Sequence, residues 1–126
     1  MGTLAPEILE AAVREREVTL TTQGRKSSTP RKVTIWIVTD GKRIFIRSGR
    51  GLGRNWTQNL MARDEGVLEA AGKSFRFKPR LVAEPEQARA VSVLYGKKYG
   101  SSVKPSKPTE PPTPGELATF EVMSAQ

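Results

Sequence analysis

Hydrophobic and polar positions alternate along most of this chain, and changes in the period of that alternation mark out helices and strands in turn. Within residues 1–16, Ile8, Leu9, Ala12 and Val13 recur at helical spacing and predict an amphipathic helix from near Thr3 or Pro6 to about Arg16. The period then drops to two. Glu17 to Thr22 (EVTLTT) predicts a strand, which Gly24, two serines and Pro30 close off as a loop. Arg31 to Thr39 (RKVTIWIVT) is the strongest strand pattern in the chain. Asp40-Gly41 is a favoured pair for a tight turn, and Lys42 to Ser48 (KRIFIRS) returns as the second arm of a hairpin.

After Ser48 the segment GRGLGR carries Gly49, Gly51 and Gly53, which permit backbone angles that other residues resist. Asn55 with Gln58 three residues later has the offset of a capping box, so a short helix is expected there, with Trp56, Leu60 and Met61 inward and Asp64-Glu65-Gly66 at its end. Two strands follow, Val67 to Ala71 and Ser74 to Val82, joined at Gly72-Lys73. Pro85 opens a helix to about Tyr95, with Ala88, Val91 and Leu94 or Tyr95 at helical spacing and Gly96 or Gly100 as its stop. Residues 101–115 hold Pro105, Pro108, Pro111, Pro112 and Pro114 and predict an extended or mobile loop before a last strand, Leu117 to Met123. Six strands with helices between them in 126 residues, without internal repeat, predict a single domain over 1–126. The expected class is mainly β with helices (α+β), a six-stranded, mostly antiparallel barrel.

Charge adds a location to this outline. Between Gln23 and Trp56 stand nine cations, Arg25, Lys26, Arg31, Lys32, Lys42, Arg43, Arg47, Arg50 and Arg54, against one acid, Asp40. The rest of the chain holds twelve of each sign, so the whole net charge of +8 lies in this window. Such a cluster beside a Gly-rich strand-to-helix corner predicts a phosphorylated ligand. The absence of cysteine and histidine excludes disulfides, thiolate metal sites and triads built on either residue. Carboxylates are scattered, so no magnesium or calcium cluster is expected. Apolar runs are too short to span a bilayer and the N-terminus lacks the pattern of a secretion signal, which points to a cytoplasmic protein. An enzyme with this composition draws its chemistry from a cofactor.

The ordered set of pieces in GRKSSTPRKVTIWIVTDGKRIFIRSGRGLGRNWTQNL, with LYGKKYG and the closing TFEV, resembles the split β-barrel superfamily of flavin- and deazaflavin-binding reductases. This superfamily is related to pyridoxamine 5′-phosphate oxidase, and the resemblance runs from about Glu17 to Met123, where it is nearest a small uncharacterised subfamily. Ser28 stands where the family's loop has glycine, and Thr57 follows Trp56 where tyrosine is usual. The resemblance implies a homodimer with the cofactor in a groove between barrels. It implies deazaflavin F420 as that cofactor, with FMN as the alternative, and hydride transfer to a small organic acceptor. Carried onto this chain, Arg31, Arg54, Asn55 and Trp56 match phosphate-holding positions, and Val33, Ile35 and Trp36 would offer backbone groups and an indole face to the ring. Ser48 and Gly49 would allow close approach, while Arg25, Lys26 and Arg50 would meet the glutamate tail of F420. Arginine suits phosphate through its bidentate fork. No catalytic side chain is assigned and no metal is expected.

Plainer readings stand beside these. Arg25, Lys26 and Lys32 can be solvated loop and edge charges, Trp36 a core or dimer-contact residue, and Arg47 a cross-strand partner of Glu69. Tyr95 and Tyr99 are packing residues at a helix end unless one donates a proton to product, and neither is placed in the site. A nucleic-acid-binding barrel is the alternative from another class, and it needs Phe45, Phe75 and Phe77 exposed for stacking. A non-catalytic binder of flavin, haem or lipid is the other.

Overall fold

The stretch expected as one strand from Arg31 to Thr39 is two strands, β2 (Pro30–Ile35) and β3 (Ile37–Thr39), which meet at a bend on Trp36. The computed structural model describes residues 5–24, 29–100 and 103–125 of the chain. Among these, β1 (Val18–Gln23), β4 (Ile44–Arg47), β5 (Gly66–Ala70), β6 (Lys73–Leu81) and β7 (Thr119–Ser124) complete one antiparallel sheet. Its strand order is β2-β1-β5-β6-β7-β4-β3. The two edge strands are therefore neighbours in sequence. The bend at Trp36 brings the edges together, and the sheet curls into a barrel with one open seam. This is the split-barrel architecture expected, with seven strands in place of six because of that bend.

The bend has a cause that strand periodicity cannot carry. The Ile37 amide donates to Tyr99 Oη at 3.1 Å, and the Ile37 carbonyl accepts from Lys98 Nζ at 2.8 Å. Ile37 pairs with Ile46 of β4 on one side, and side chains of a distant helix satisfy its outward backbone groups on the open edge. Trp36 stacks on the Tyr99 ring, centroids 4.1 Å apart and planes within 3°.

Alternation along the strands fills the barrel. Leu20, Ile44, Ile46, Leu68, Phe77 and Phe120 are fully buried, with α1 (Pro6–Arg14) and α2 (Asn55–Arg63) packed against them. In α1 the buried residues are Ile8, Ala11 and Ala12, while Val13, expected inward, faces solvent. In α2, Trp56 and Leu60 are buried as expected and Met61 is exposed. Gly66 lets β5 approach the core, because a Cβ there would lie 2.9 Å from both Leu60 and Phe77.

A second apolar cluster lies between the barrel and α3 (Pro85–Tyr99), where Val38, Phe45 and Val82 meet Ala88, Val91 and Tyr95. This helix runs four residues beyond the expected Tyr95 and ends at Gly100. Gly96 lies inside it, where a Cβ would stand 3.0 Å from the Val103 carbonyl, so its smallness serves packing. The proline-rich stretch contains a further helical turn, α4 (Pro114–Leu117), opened by a reciprocal capping box between Thr113 and Glu116. The β3–β4 hairpin closes through the four residues Asp40–Arg43. The β5–β6 turn is Ala71-Gly72, one residue earlier than expected, with φ positive at both.

Candidate functional site

Beside the seam, the end of β2, the end of β4, the glycine-rich turn and the start of α2 surround a cavity of about 500 Å³. The strand residues Val33, Ile35 and Trp36 line it, with Ser48, Gly49, Arg50, Arg54 and Trp56 opposite. These eight are among the expected ligand-binding residues. Two others are not brought there: Arg31 lies exposed farther back on β2, and Asn55 does not line the cavity. Arg25 and Lys26 lie outside the described residues.

The turn is fixed from below. The Ser48 amide donates to the Ala118 carbonyl at 3.1 Å and the Gly51 amide to the Ser48 carbonyl at 3.0 Å. Gly51 has φ +93°, a left-handed conformation that favours glycine. Thr57 is fully buried, and its Oγ1 lies 2.7 Å from the Leu52 carbonyl and 2.8 Å from that of Arg54. The capping box expected between Asn55 and Gln58 does not form. Arg54 is the N-cap residue and offers no side-chain acceptor, while Gln58 Nε2 donates to the Leu52 carbonyl. The first amides of α2 therefore begin at the cavity wall without a side-chain cap.

The charge of the basic window is divided among several tasks. Lys32 pairs with Glu69 at 3.4 Å and Arg43 with Asp40 at 3.2 Å. Burial alone would raise the Asp40 carboxyl, but the Arg43 and Lys42 amides outweigh it and hold the pKa below its ordinary value. Arg47 is turned inward, against the reading that paired it with Glu69. Its guanidinium donates to Thr119 Oγ1 at 2.8 Å, Ser92 Oγ at 2.7 Å and the Ala88 carbonyl at 3.0 Å, and lies 5.0 Å from the Tyr95 ring centroid. Ser92 passes the contact on, donating to Glu116 Oε2 at 2.9 Å. Burial lowers the Arg47 pKa, and an arginine so lowered remains a cation near neutral pH.

What remains at the cavity mouth is Arg50, Arg54 and Lys104, all exposed and without a salt bridge among the described residues. Glu17 is the one acid on the lining. The floor is of another kind, with Ile35, Ser48, Trp56 and Tyr95 all buried. A cationic rim over an apolar floor suits a ligand with a flat apolar body and an anionic end. Arg47, Tyr95, Lys104 and the Thr113–Gly115 wall were not foreseen as lining. One signal for the last was present, since Thr113 and Glu116 have the capping-box offset at the end of the proline run.

Phe45 and Phe77 are each 1% exposed and Phe75 is half-buried, so two of the three rings that single-strand binding would need are inside. No group of three or more acidic side chains suited to a metal ion occurs among the described residues. No helix among them is long and apolar enough to cross a membrane.

Sequence comparison then decides the family. The chain belongs to DUF2255. This family, described as an uncharacterized protein conserved in bacteria, matches residues 8–120. No curated protein matches the DUF2255 chain. Solved structures do. An F420-H2-dependent reductase aligns with a TM-score of 0.65 at 19% identity, over 86% of this chain and 94% of its own. A pyridoxamine 5′-phosphate oxidase-type protein from Listeria innocua aligns with a TM-score of 0.67 at 12% identity, over 95% and 92%. The haem storage protein HutZ from Vibrio cholerae gives 0.66 at 16% identity, over 99% and 92%. The DUF2255 chain thus has the fold of the pyridoxamine 5′-phosphate oxidase-like split barrels.

Proposed function

We propose that this chain is a split-barrel oxidoreductase that holds a phosphorylated redox ring, deazaflavin F420 or alternatively FMN, and works as a cytoplasmic homodimer. The observation that carries this reading is the cavity itself, with Arg50, Arg54 and Lys104 unspent at its mouth and buried Ile35 and Trp56 at its floor. The residues fit such a group. Arg54 and the uncapped start of α2 would take the phosphate, since guanidinium and helix amides both favour anions. Val33, Ile35 and Trp36 would lie along the ring. Arg50 and Lys104 stand where a longer anionic tail would leave the cavity, and this favours F420 over FMN.

When bound, such a ring supplies hydride transfer to an organic acceptor. The protein's part is to orient the two partners and exclude water, which the buried floor does without histidine or cysteine. An F420-dependent reductase and a structure described as a domain-swapped dimer occur among its structural neighbours, which supports both the chemistry and the assembly proposed.

Titration of the pure protein with F420 and with FMN tests the reading. Arg54→Ala is expected to weaken binding by about 1.5 to 3 kcal/mol, tenfold or more in Kd, as the loss of a charged hydrogen bond requires. Arg31→Ala should leave affinity unchanged, because Arg31 is not on the lining. Wild-type protein that binds neither compound would sink the proposal. Mixing the reduced, loaded protein with quinones or nitroaromatics separates enzyme from carrier: an enzyme is reoxidised, a carrier is not.

A further inference from the structure

Ser48 Oγ and Trp56 Nε1 are polar atoms for which the fold supplies no counterpart. Both residues line the cavity, and they are 5% and 9% exposed. Ser48 bonds through its backbone, the amide donating to the Ala118 carbonyl and the carbonyl accepting from the Gly51 amide, but its hydroxyl has no hydrogen bond among the described residues. The Trp56 ring is tilted against Phe120 in the core, and its N–H has no acceptor among them either. Buried hydroxyl and indole N–H groups in native proteins nearly always find a partner, because each left bare costs its full desolvation. Neither atom is sealed in the protein. Tyr95 Oη is the one unpartnered side-chain atom that the described residues fully enclose, so these two keep open surface. In residues so deeply buried, that surface is the cavity itself.

We infer that Ser48 Oγ and Trp56 Nε1 are the polar floor of the ligand site, donating hydrogen bonds to uncharged oxygens, the carbonyls of a flat ring, on the molecule held in the cavity. An indole N–H can only donate and a hydroxyl is able to, so oxygen acceptors suit both. The oxygens are uncharged because the cations stand elsewhere. Arg47, the inner one, gives N–H bonds to Thr119, Ser92 and Ala88 and meets Glu116 through Ser92, while Arg50, Arg54 and Lys104 are exposed at the mouth. An anion on the floor would be desolvated without a free counter-charge. The resemblance counts Trp56 among phosphate-holding positions; its burial, with Arg54 exposed at the mouth to take the phosphate, gives it to the body of the ligand instead. The subsite rests on the redox reading for its ligand class and adds an orientation to it, carbonyl edge deep and anionic end outward. The carbonyl belongs to the cofactor ring or to the acceptor that it reduces, and the two sources are separable.

Ser48→Ala and Trp56→Phe test the assignment. Trp56→Phe shrinks a core ring and lowers stability for that reason, so Ser48→Ala carries the decision. Without ligand it should unfold at the wild-type midpoint, and a clear fall would assign the hydroxyl to the fold and overturn the subsite. Affinities for FMN, F420 and the quinone menadione are then measured separately by titration calorimetry. A five- to tenfold loss of cofactor affinity, with the bound ring's carbonyl infrared band moved to higher frequency and its phosphate band unmoved, places the oxygen on the cofactor. The same loss for menadione alone places it on the acceptor. A moved phosphate band with the carbonyl band unmoved overturns the assignment to an uncharged oxygen. Unchanged binding of every probe refutes the subsite, and if Arg54→Ala still weakens FMN or F420 the redox reading stands without it. Ser48-dependent menadione binding in a protein that ignores FMN and F420 keeps the subsite and refutes the cofactor reading. Wild-type protein that binds no probe overturns both.

Discussion

Glu116 is fully buried, yet it is a carboxylate that three segments hold at once. Its Oε2 accepts from Ser92 Oγ and the Ser106 amide, and its Oε1 accepts from the Thr113 amide at 2.9 Å. Burial alone would raise its pKa; the bonds from Ser106, Thr113 and Ser92 prevail and bring it down to about 2. A carboxyl depressed in the folded state stabilises the fold at every pH above its ordinary value near 4.5 and loses that contribution as pH falls toward 2. The contribution is about 3 kcal/mol at neutral pH. Acid titration of the unfolding free energy should therefore fall through this window in wild type and be flatter there in Glu116→Gln, which is less stable at pH 7. Parallel acid limbs would show that the proline-rich wall of the cavity is held by something else. The capping-box offset from Thr113 was its one signal in the sequence, and the prolines around it hid the four-residue helix in which that box makes the carboxylate part of the backbone's own hydrogen bonding.

Among the elements, α1 is held by a cation from α3. Lys98 Nζ donates to the Ala12, Glu15 and Ile37 carbonyls at 2.7, 2.6 and 2.8 Å, closing the C-terminal end of α1, where backbone acceptors and the helix dipole both favour positive charge. Burial, and then the neighbouring Arg16, lower its pKa. Lys98→Met keeps the aliphatic stem and removes the donors. Amide exchange over Pro6–Arg14 should quicken by an order of magnitude while β5 and β6 keep their protection, and an α1 that exchanges as in wild type would show the helix held by Ile8 and Ala12 alone. Local patterns sufficed for most elements. β1, the β3–β4 and β5–β6 hairpins, α1, α2 and α3 are all signalled by residues within their own spans. The same reason explains what was legible of the site: Val33 to Trp36 and Ser48 to Trp56 lie in one window of sequence, whereas Tyr95, Lys104 and Pro114 reach the cavity only through tertiary packing.

At the scale of the molecule, closure of the barrel depends on a seam that the main chain does not close itself. β2 and β3 are opposite edges of the sheet joined at one residue, and the side chain over that joint is Tyr99. Its hydroxyl accepts from the Ile37 amide and lies 2.7 Å from the Arg16 carbonyl and 3.0 Å from that of Ile37, while its ring stacks on Trp36. The two halves of this contact can be removed separately. Tyr99→Phe keeps the stack and leaves the Ile37 amide without its partner, which should cost about 1 to 3 kcal/mol. Tyr99→Ala removes the stack as well and should cost more, with Trp36 emission moved to longer wavelength and more open to iodide quenching. Trp56, tilted at 52° on Phe120 in the core, supplies a constant blue component against which the change is read. Because Val33 to Trp36 form one wall of the cavity, a loosened seam should also weaken ligand binding in Tyr99→Ala although Tyr99 is not on the lining. If Tyr99→Ala unfolds at the wild-type midpoint with Trp36 emission unchanged, the edges are held by the bend alone and the helix merely rests on it.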